Sequence, residues 1–305
     1  MSHVFGPVPS RRLGRSLGVD VVPFKTCTYD CLYCQLGRTT CRTVERAEWV
    51  PLDEVVAEVE TKLSTAPDVI TLSGSGEPTL YSRTGELIER IKRLTGVPVA
   101  VLTNGSLLWR ADVRGELLAA DLVIPSLDAG DEAMFETVNR PHADIAFDAM
   151  LEGLVAFGGE FGGKYWLEVF LLSGLTGTEA EVSKLASCAA RIGPDRVQLN
   201  TVTRPPAEET AAAVPAERMA ALARLFDPPA EVIVDVPRVH QQAEFAAGRE
   251  DILSMLRRRP CSVEDIANGL GMHPNEVVKY IETLRSSGRI VESRVGGKTY
   301  YRAPT

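Results

Sequence analysis

The sequence contains no apolar run approaching the roughly 18–20 residues that a membrane span needs. Its first residues, MSHVFGPVPSRRLGRS, lack the apolar stretch of a signal peptide. A cytoplasmic protein without membrane contact is expected, and there cysteines stay reduced unless they bind metal or do redox chemistry. Positive charge is also outnumbered. Against 41 Asp/Glu stand 33 Lys/Arg, a net charge of −8, which argues against a body that wraps nucleic acid non-specifically. No long-period repeat occurs. With 45% hydrophobic and 24% charged residues over 305 positions, the composition is that of a globular protein. Its length suits one large α/β domain with an appendage, or two ordinary domains.

What is present is a concentration of cysteine. Four of the six cysteines fall in FKTCTYDCLYCQLGRTTC, and three of them, Cys27, Cys31 and Cys34, have C-x3-C-x2-C spacing. Clustered thiols in a reducing compartment are not a disulfide framework. Thiolates are soft ligands that select zinc or iron–sulfur clusters. A structural zinc site takes four ligands, and Cys41 could be the fourth. Three thiolates instead leave one corner of a cubane cluster open, whereas four saturate it for electron transfer. Cys188 and Cys261 fit as small buried hydrophobes, and His240 and His273 stand isolated.

Strand-length apolar runs recur at residues 17–22, 68–73, 97–103, 121–127, 166–172 and 196–202. Their near-continuous apolar character predicts parallel strands covered on both faces. Helical patterns lie between them. Leu52, Val55, Val56, Val59 and Leu63 form one stripe, Thr178 and Glu181 form a T-x-x-E capping box, and Pro215 suits the first turn of a helix. Six βα units predict a parallel α/β barrel, complete or partial, or an open sheet. Either gathers ligands at the carboxyl ends of its strands. A loop over 204–215 and a last short strand within 230–237 are expected to follow.

The tail changes character. Residues 247–305 carry ten Lys/Arg against seven Asp/Glu, a basic appendage on an acidic body. A helix, a Ser262/Asp265 capping box opening a second helix, a turn at NGLGMHP, a third helix and a Gly-Gly hairpin follow in order. That order is the pattern of a winged helix, with a boundary near Gly248.

CTYDCLYC resembles the C-x3-C-x-aromatic-C signature of the radical S-adenosylmethionine (SAM) superfamily. Downstream segments strengthen the likeness: SGSGEPTL (residues 73–80) is similar to the family's Gly-Gly-Glu-Pro motif, with Ser75 replacing the first glycine, and LTNG, SLDA and NRP follow. The resemblance covers residues 5–236. It implies a partial (β/α)6 barrel over 1–240 with a winged helix-turn-helix domain over 248–305. It implies a [4Fe–4S] cluster on Cys27, Cys31 and Cys34, with SAM on the fourth iron. Reductive cleavage of SAM then gives a 5′-deoxyadenosyl radical that takes hydrogen from substrate. Ser75, Gly76 and Glu77 would approach SAM, Tyr33 would rest on its adenine, and Asn104, Ser126 and Asp128 would line the pocket, with Glu168 and Asn200 at later strand ends. Flavodoxin or ferredoxin is the implied electron donor. Several segments look most like oxidoreductases related to wyosine-base (4-demethylwyosine) synthases, but those carry a second cluster on earlier cysteines, and none precedes Cys27.

Arg11, Arg12 and Arg15 suggest an anion clamp or a solvated entry loop. Arg257–Arg259 suit a helix C-terminus. A rival function is a redox-sensing iron–sulfur regulator that reads DNA with the tail. Its recognition helix would have Lys279 and Arg285 against Glu276 and Glu282, poor for phosphate contact, so an RNA, peptide or small-molecule substrate fits better.

Overall fold

The computed structural model describes residues 2–233, 248–295 and 297–304. The chain opens with β1 (Val4–Ser10) and β2 (Gly14–Val19), followed by the two-residue strands β3 (Thr26–Cys27) and β4 (Cys41–Arg42). Alternation then begins: α1 (Leu52–Lys62), β5 (Val69–Leu72), α2 (Thr84–Leu94), β6 (Val99–Thr103), α3 (Ala111–Leu117) and β7 (Leu122–Pro125). It continues with α4 (Glu132–Val138), α5 (Phe147–Glu160), β8 (Lys164–Leu171), α6 (Glu179–Ile192), β9 (Arg196–Thr201), α7 (Ala216–Ala223) and β10 (Glu231–Val232). The main sheet runs β1-β2-β5-β6-β7-β8-β9-β10. From β2 to β10 every pairing is parallel. All six expected strands are present in chain order, the architecture of a partial (β/α)6 barrel. The expected last strand is β10, and the remainder of residues 230–237 lies largely outside the described residues, as does His240.

Alternating side chains build two faces. Ile70, Leu72, Val99, Val101 and Val123 join the large core under the helices. Val69, Ala100, Leu122 and Ile124 face the other way and meet Leu13 and Trp166. Strand β8 shows the period most plainly: Tyr165, Leu167, Val169 and Leu171 are buried, while Trp166, Glu168 and Phe170 are half-buried. That parity sets Glu168 and Phe170 on the concave side.

Strand β1 was not among the expected elements. It pairs antiparallel with β2 through a register shift between Phe5 and Val8. With Pro7 and Pro9 among its seven residues it reads as an entry loop, and Pro is tolerated in strands only at such edges. Pro215 is the cap residue preceding α7 and not part of its first turn.

After residue 247 come α8 (Arg249–Arg258), α9 (Val263–Leu270), α10 (Pro274–Ser286) and the hairpin β11 (Val291–Val295) with β12 (Lys298–Arg302). Helix α9 runs through Asn268 and Gly269, so the turn is shorter than NGLGMHP and begins at Gly271, whose φ of 63° suits a glycine. His273 caps α10 by accepting from Asn275 N at 3.2 Å. This unit has its own core, centred on Ile252, Leu256, Ile266, Val277, Ile281 and Leu284, and Val8 of β1 packs against it. Tyr300 Oη donates to the Thr203 carbonyl at 2.8 Å, and Arg204 pairs with Asp265 at 3.3 Å. The tail is thus seated on the carboxyl end of β9.

Candidate active site

The cysteine loop leaves β2 and lies across the mouth of the barrel. Cys27, Cys31 and Cys34 are all partly buried on it, and a turn closed by Cys34 N donating to Cys31 O at 3.2 Å brings the last two together. Backbone bonds clamp this loop to the turn after β5: Lys25 N donates to Ser75 O at 2.7 Å, and Glu77 N to Thr26 O at 3.1 Å. A side chain on Gly76 would place Cβ 1.7 Å from the Thr26 carbonyl oxygen, so only glycine permits the approach.

The amides of Asn104 and Asn139 point at two of the sulfurs. Asn104 Nδ2 lies 3.6 Å from Cys27 Sγ and 2.7 Å from Thr28 Oγ1. Asn139 Nδ2 lies 3.5 Å from Cys31 Sγ and 2.9 Å from Asp128 Oδ2. Asn139 was missed as a site residue, although its NRP segment carried the signal. Asp128 also accepts from the Tyr33 hydroxyl and from Phe170 N at 3.0 Å. Burial lifts its carboxyl to about 6, against the hydrogen bonds from Tyr33 and Asn139. Tyr33 stacks on Phe170 with ring centroids 4.0 Å apart.

Beside the loop is a cavity of about 450 Å³, lined by Tyr33, Cys34, Gly76, Ser126, Glu168 and Asn200 among others. Four of the expected site residues outside the thiol set (Tyr33, Ser126, Glu168 and Asn200) and the backbone of Gly76 therefore share one wall. Ser75, Glu77, Asn104 and Asp128 stand behind it. Ser75 bonds Asp20 through Oγ at 2.5 Å and through N at 3.0 Å, while Glu77 is taken up by Thr79, Thr103 and Asn104. The three early arginines separate. Arg11 and Arg12 line the cavity, and Arg12 pairs with Glu168. Arg15 instead donates to Thr65 O at 2.9 Å on the far side, so the three form no common clamp.

Burial raises all three thiols. Cys27 is pushed up to about 12, first by burial and then by the charge of Glu77. Cys31 is raised by burial, then by Asp128 and the other two cysteines, and Cys34 by burial first.

Residues 21–186 match the family model of the radical SAM superfamily. The chain belongs to that superfamily. Similar proteins include a UPF0026 protein of Methanocaldococcus jannaschii, 32% identical over 99% of this chain and 96% of its own length. A UPF0026 protein of Helicobacter pylori J99 is 35% identical over 98% of this chain and 96% of its own. A Brachyspira hyodysenteriae protein named GTPase Obg is 42% identical over 98% of this chain, which spans only 45% of that relative. Among solved structures, a radical SAM methyltransferase from Sphaerobacter thermophilus shares the fold with a TM-score of 0.53 at 18% identity, over 73% of this chain and 67% of its own. The maturase HydG from Carboxydothermus hydrogenoformans gives 0.51 at 16%, over 74% and 54%. The radical SAM superfamily uses a [4Fe–4S] cluster and SAM, and membership makes this chain an enzyme.

The residues present fit such a cluster: three thiols stand on one loop, and a cubane takes each thiolate on a different iron. Cys41 is exposed. Amide donors at two sulfurs would supply the outer hydrogen bonds that tune cluster thiolates. The buried Asn139 Oδ1 has no hydrogen-bond partner, an acceptor still open at the site. No helix among the described residues is long and apolar enough to cross a membrane.

Proposed function

We propose that this chain is a hydrogen-abstracting radical SAM enzyme in which Cys27, Cys31 and Cys34 hold the [4Fe–4S] cluster. When bound, cluster and SAM supply the reductive cleavage that yields the 5′-deoxyadenosyl radical. The observation that carries this reading is one loop bearing three thiols beside a cavity at the carboxyl ends of parallel strands. Asn104 and Asn139 donate to the sulfurs and fix the ligands' orientation. The Tyr33–Phe170 stack forms an apolar wall suited to adenine, and Ser126, Glu168 and Asn200 offer polar contacts to the ribose and methionyl groups. Asp128 orients Tyr33 and Asn139 together. Ser75 and Glu77 act indirectly: they hold the turn that lets Gly76 come close to the cofactor. Arg12 sets the position of Glu168.

We read residues 1–240 as the catalytic barrel and 248–305 as a winged helix that closes its mouth, with a flavodoxin or ferredoxin as electron donor in the cytoplasm. The scaffold resembles the oxidoreductases related to wyosine-base synthases. A DNA-reading regulator is the weaker reading, because α10 carries balanced charge and its Arg285 is paired with Glu292 at 3.2 Å. The test is anaerobic reconstitution with iron and sulfide, followed by dithionite and SAM. Formation of 5′-deoxyadenosine is expected, abolished by Cys31→Ala and retained by Cys41→Ala. No product from wild-type protein with an intact cluster would overturn the proposal.

A further inference from the structure

On an acidic chain, the cavities at the seam between barrel and tail are cationic. A second cavity of about 1010 Å³ lies there, and Arg257, Arg294, Lys298 and Arg302 line it against the single carboxylate of Glu209. Both cavities share the wall made by Gln35, Leu36, Val202, Thr203, Arg258 and Arg259. Gln35 and Leu36 directly follow Cys34, so this seam borders the proposed cluster loop.

Two arginines at the seam are incompletely matched among the described residues: one has a buried nitrogen without an acceptor, and the other meets a thiol, Cys261, but no carboxylate at ion-pair distance. Arg204 lines the inner cavity, and its buried Nε has no hydrogen-bond partner although its terminal nitrogen reaches Asp265. Arg259 lines both cavities, and no carboxylate among the described residues lies within ion-pair distance of it. The two cations also repel: burial first, and then the charge of Arg204, makes the protonated form of Arg259 less favourable. An anion between them would offset both costs. A single carboxylate charge answers one guanidinium, whereas a phosphate ester presents several oxygens and up to two charges to both forks.

We propose that the seam is a phosphate-recognition site, in which Arg204 and Arg259 take a phosphate group of the substrate. This deepens the hydrogen-abstraction reading and rests on it for the word substrate. Two sources share the chemistry: a small phosphate ester, or a phosphodiester strand whose further phosphates follow Arg294, Lys298 and Arg302.

The test is equilibrium binding to the full-length, cluster-loaded protein in phosphate-free buffer, with inorganic phosphate, pyrophosphate, acetate and an oligouridylate as probes. Phosphate and pyrophosphate should bind, and acetate should not compete. Arg259→Gln and Arg204→Gln should each weaken phosphate binding about ten- to a hundredfold, while cluster absorbance and SAM affinity stay unchanged. Arg259→Lys, which keeps charge but loses the fork, should fall between, and Arg224→Gln on the exposed end of α7 should change nothing. Undiminished phosphate binding in both glutamine variants, or acetate competing as well as phosphate, would overturn the proposal. So would absence of phosphate binding in protein that still takes SAM. If Arg294→Gln with Arg302→Gln weakens the oligouridylate and flattens its salt dependence, the source is a strand. If only the smaller probes depend on the seam, it is a small ester. Phosphate binding without 5′-deoxyadenosine formation would count against the catalytic reading and leave the anion site standing.

Discussion

Glu77 shows how a residue can be recognised by pattern and still be misjudged in its contacts. It is 2% exposed, yet its two oxygens accept from Thr79 N at 2.9 Å, Thr79 Oγ1 at 2.6 Å, Thr103 Oγ1 at 2.6 Å and Asn104 N at 2.7 Å. Burial raises its carboxyl in spite of these donors. The Glu-Pro pair after a strand marked the position, but sequence carries no information on whether such a carboxylate faces a ligand or its own neighbours. Here it stitches the turn after β5 to the end of β6. Glu77→Gln should turn an amide N–H toward one of these donors and cost about 2–3 kcal/mol of stability, as charge-assisted buried bonds do. Urea melts of the anaerobic apoprotein should show this, together with lower iron content after reconstitution. Gly76→Ala should be at least as damaging, because the colliding partner is a backbone carbonyl with little room to move.

At the scale of elements, the second tail helix tests how far local signals reach. Ser262 Oγ accepts from Asp265 N at 3.1 Å, and Asp265 Oδ2 from Ser262 N at 3.0 Å, the reciprocal box that S-x-x-D spacing predicts. Ser262→Ala should lower the stability of the tail by about 1 kcal/mol, read as an earlier hydrogen-exchange opening of α9. Asp265 also carries a pH dependence. Burial pushes its carboxyl up, but the Arg204 charge and the Ser262 N–H outweigh that, so it titrates below the ordinary value of 3.8. A depressed carboxyl contributes stability above its unfolded pKa and loses it as pH falls through the folded value. The tail should therefore weaken below about pH 4, and Asp265→Asn should flatten that acid limb in circular dichroism titrations. Strand β1 marks the opposite case. Its prolines hid it, and only pairing with β2 and contact with the tail core explain why it is a strand.

For the whole molecule, the connection between tail and cluster loop matters most. Arg258 of α8 lies over the Phe5 ring at 4.3 Å, donates to Ser2 O at 2.7 Å and reaches Asp20 at 3.8 Å. Asp20 in turn holds Ser75. A chain of contacts thus runs from the tail to the turn that supports Gly76. A double-mutant cycle between Phe5→Leu and Arg258→Met should give a coupling of about 1 kcal/mol in apoprotein stability. A coupling near zero would mean that the ring and the guanidinium are neighbours without mutual stabilisation. The RRR run ends α8 as expected, with Arg257 and Arg258 in its last turn and Arg259 as its cap, and the fold also places all three in cavity walls.

Six parallel strands, the cysteine loop, the caps of α6 and α9 and the order of the tail's elements were all legible in the sequence, because each depends on residues a few positions apart. Period, spacing and turn chemistry act locally, and the cysteine triad is contiguous. Tertiary structure alone decided which polar groups face the cavity, that Asn139 and Asn104 reach the sulfurs, that Arg15 leaves Arg11 and Arg12, and that tail arginines line the barrel mouth. Those outcomes join residues tens to hundreds of positions apart, where packing of whole elements sets the direction of each side chain and no local pattern records it.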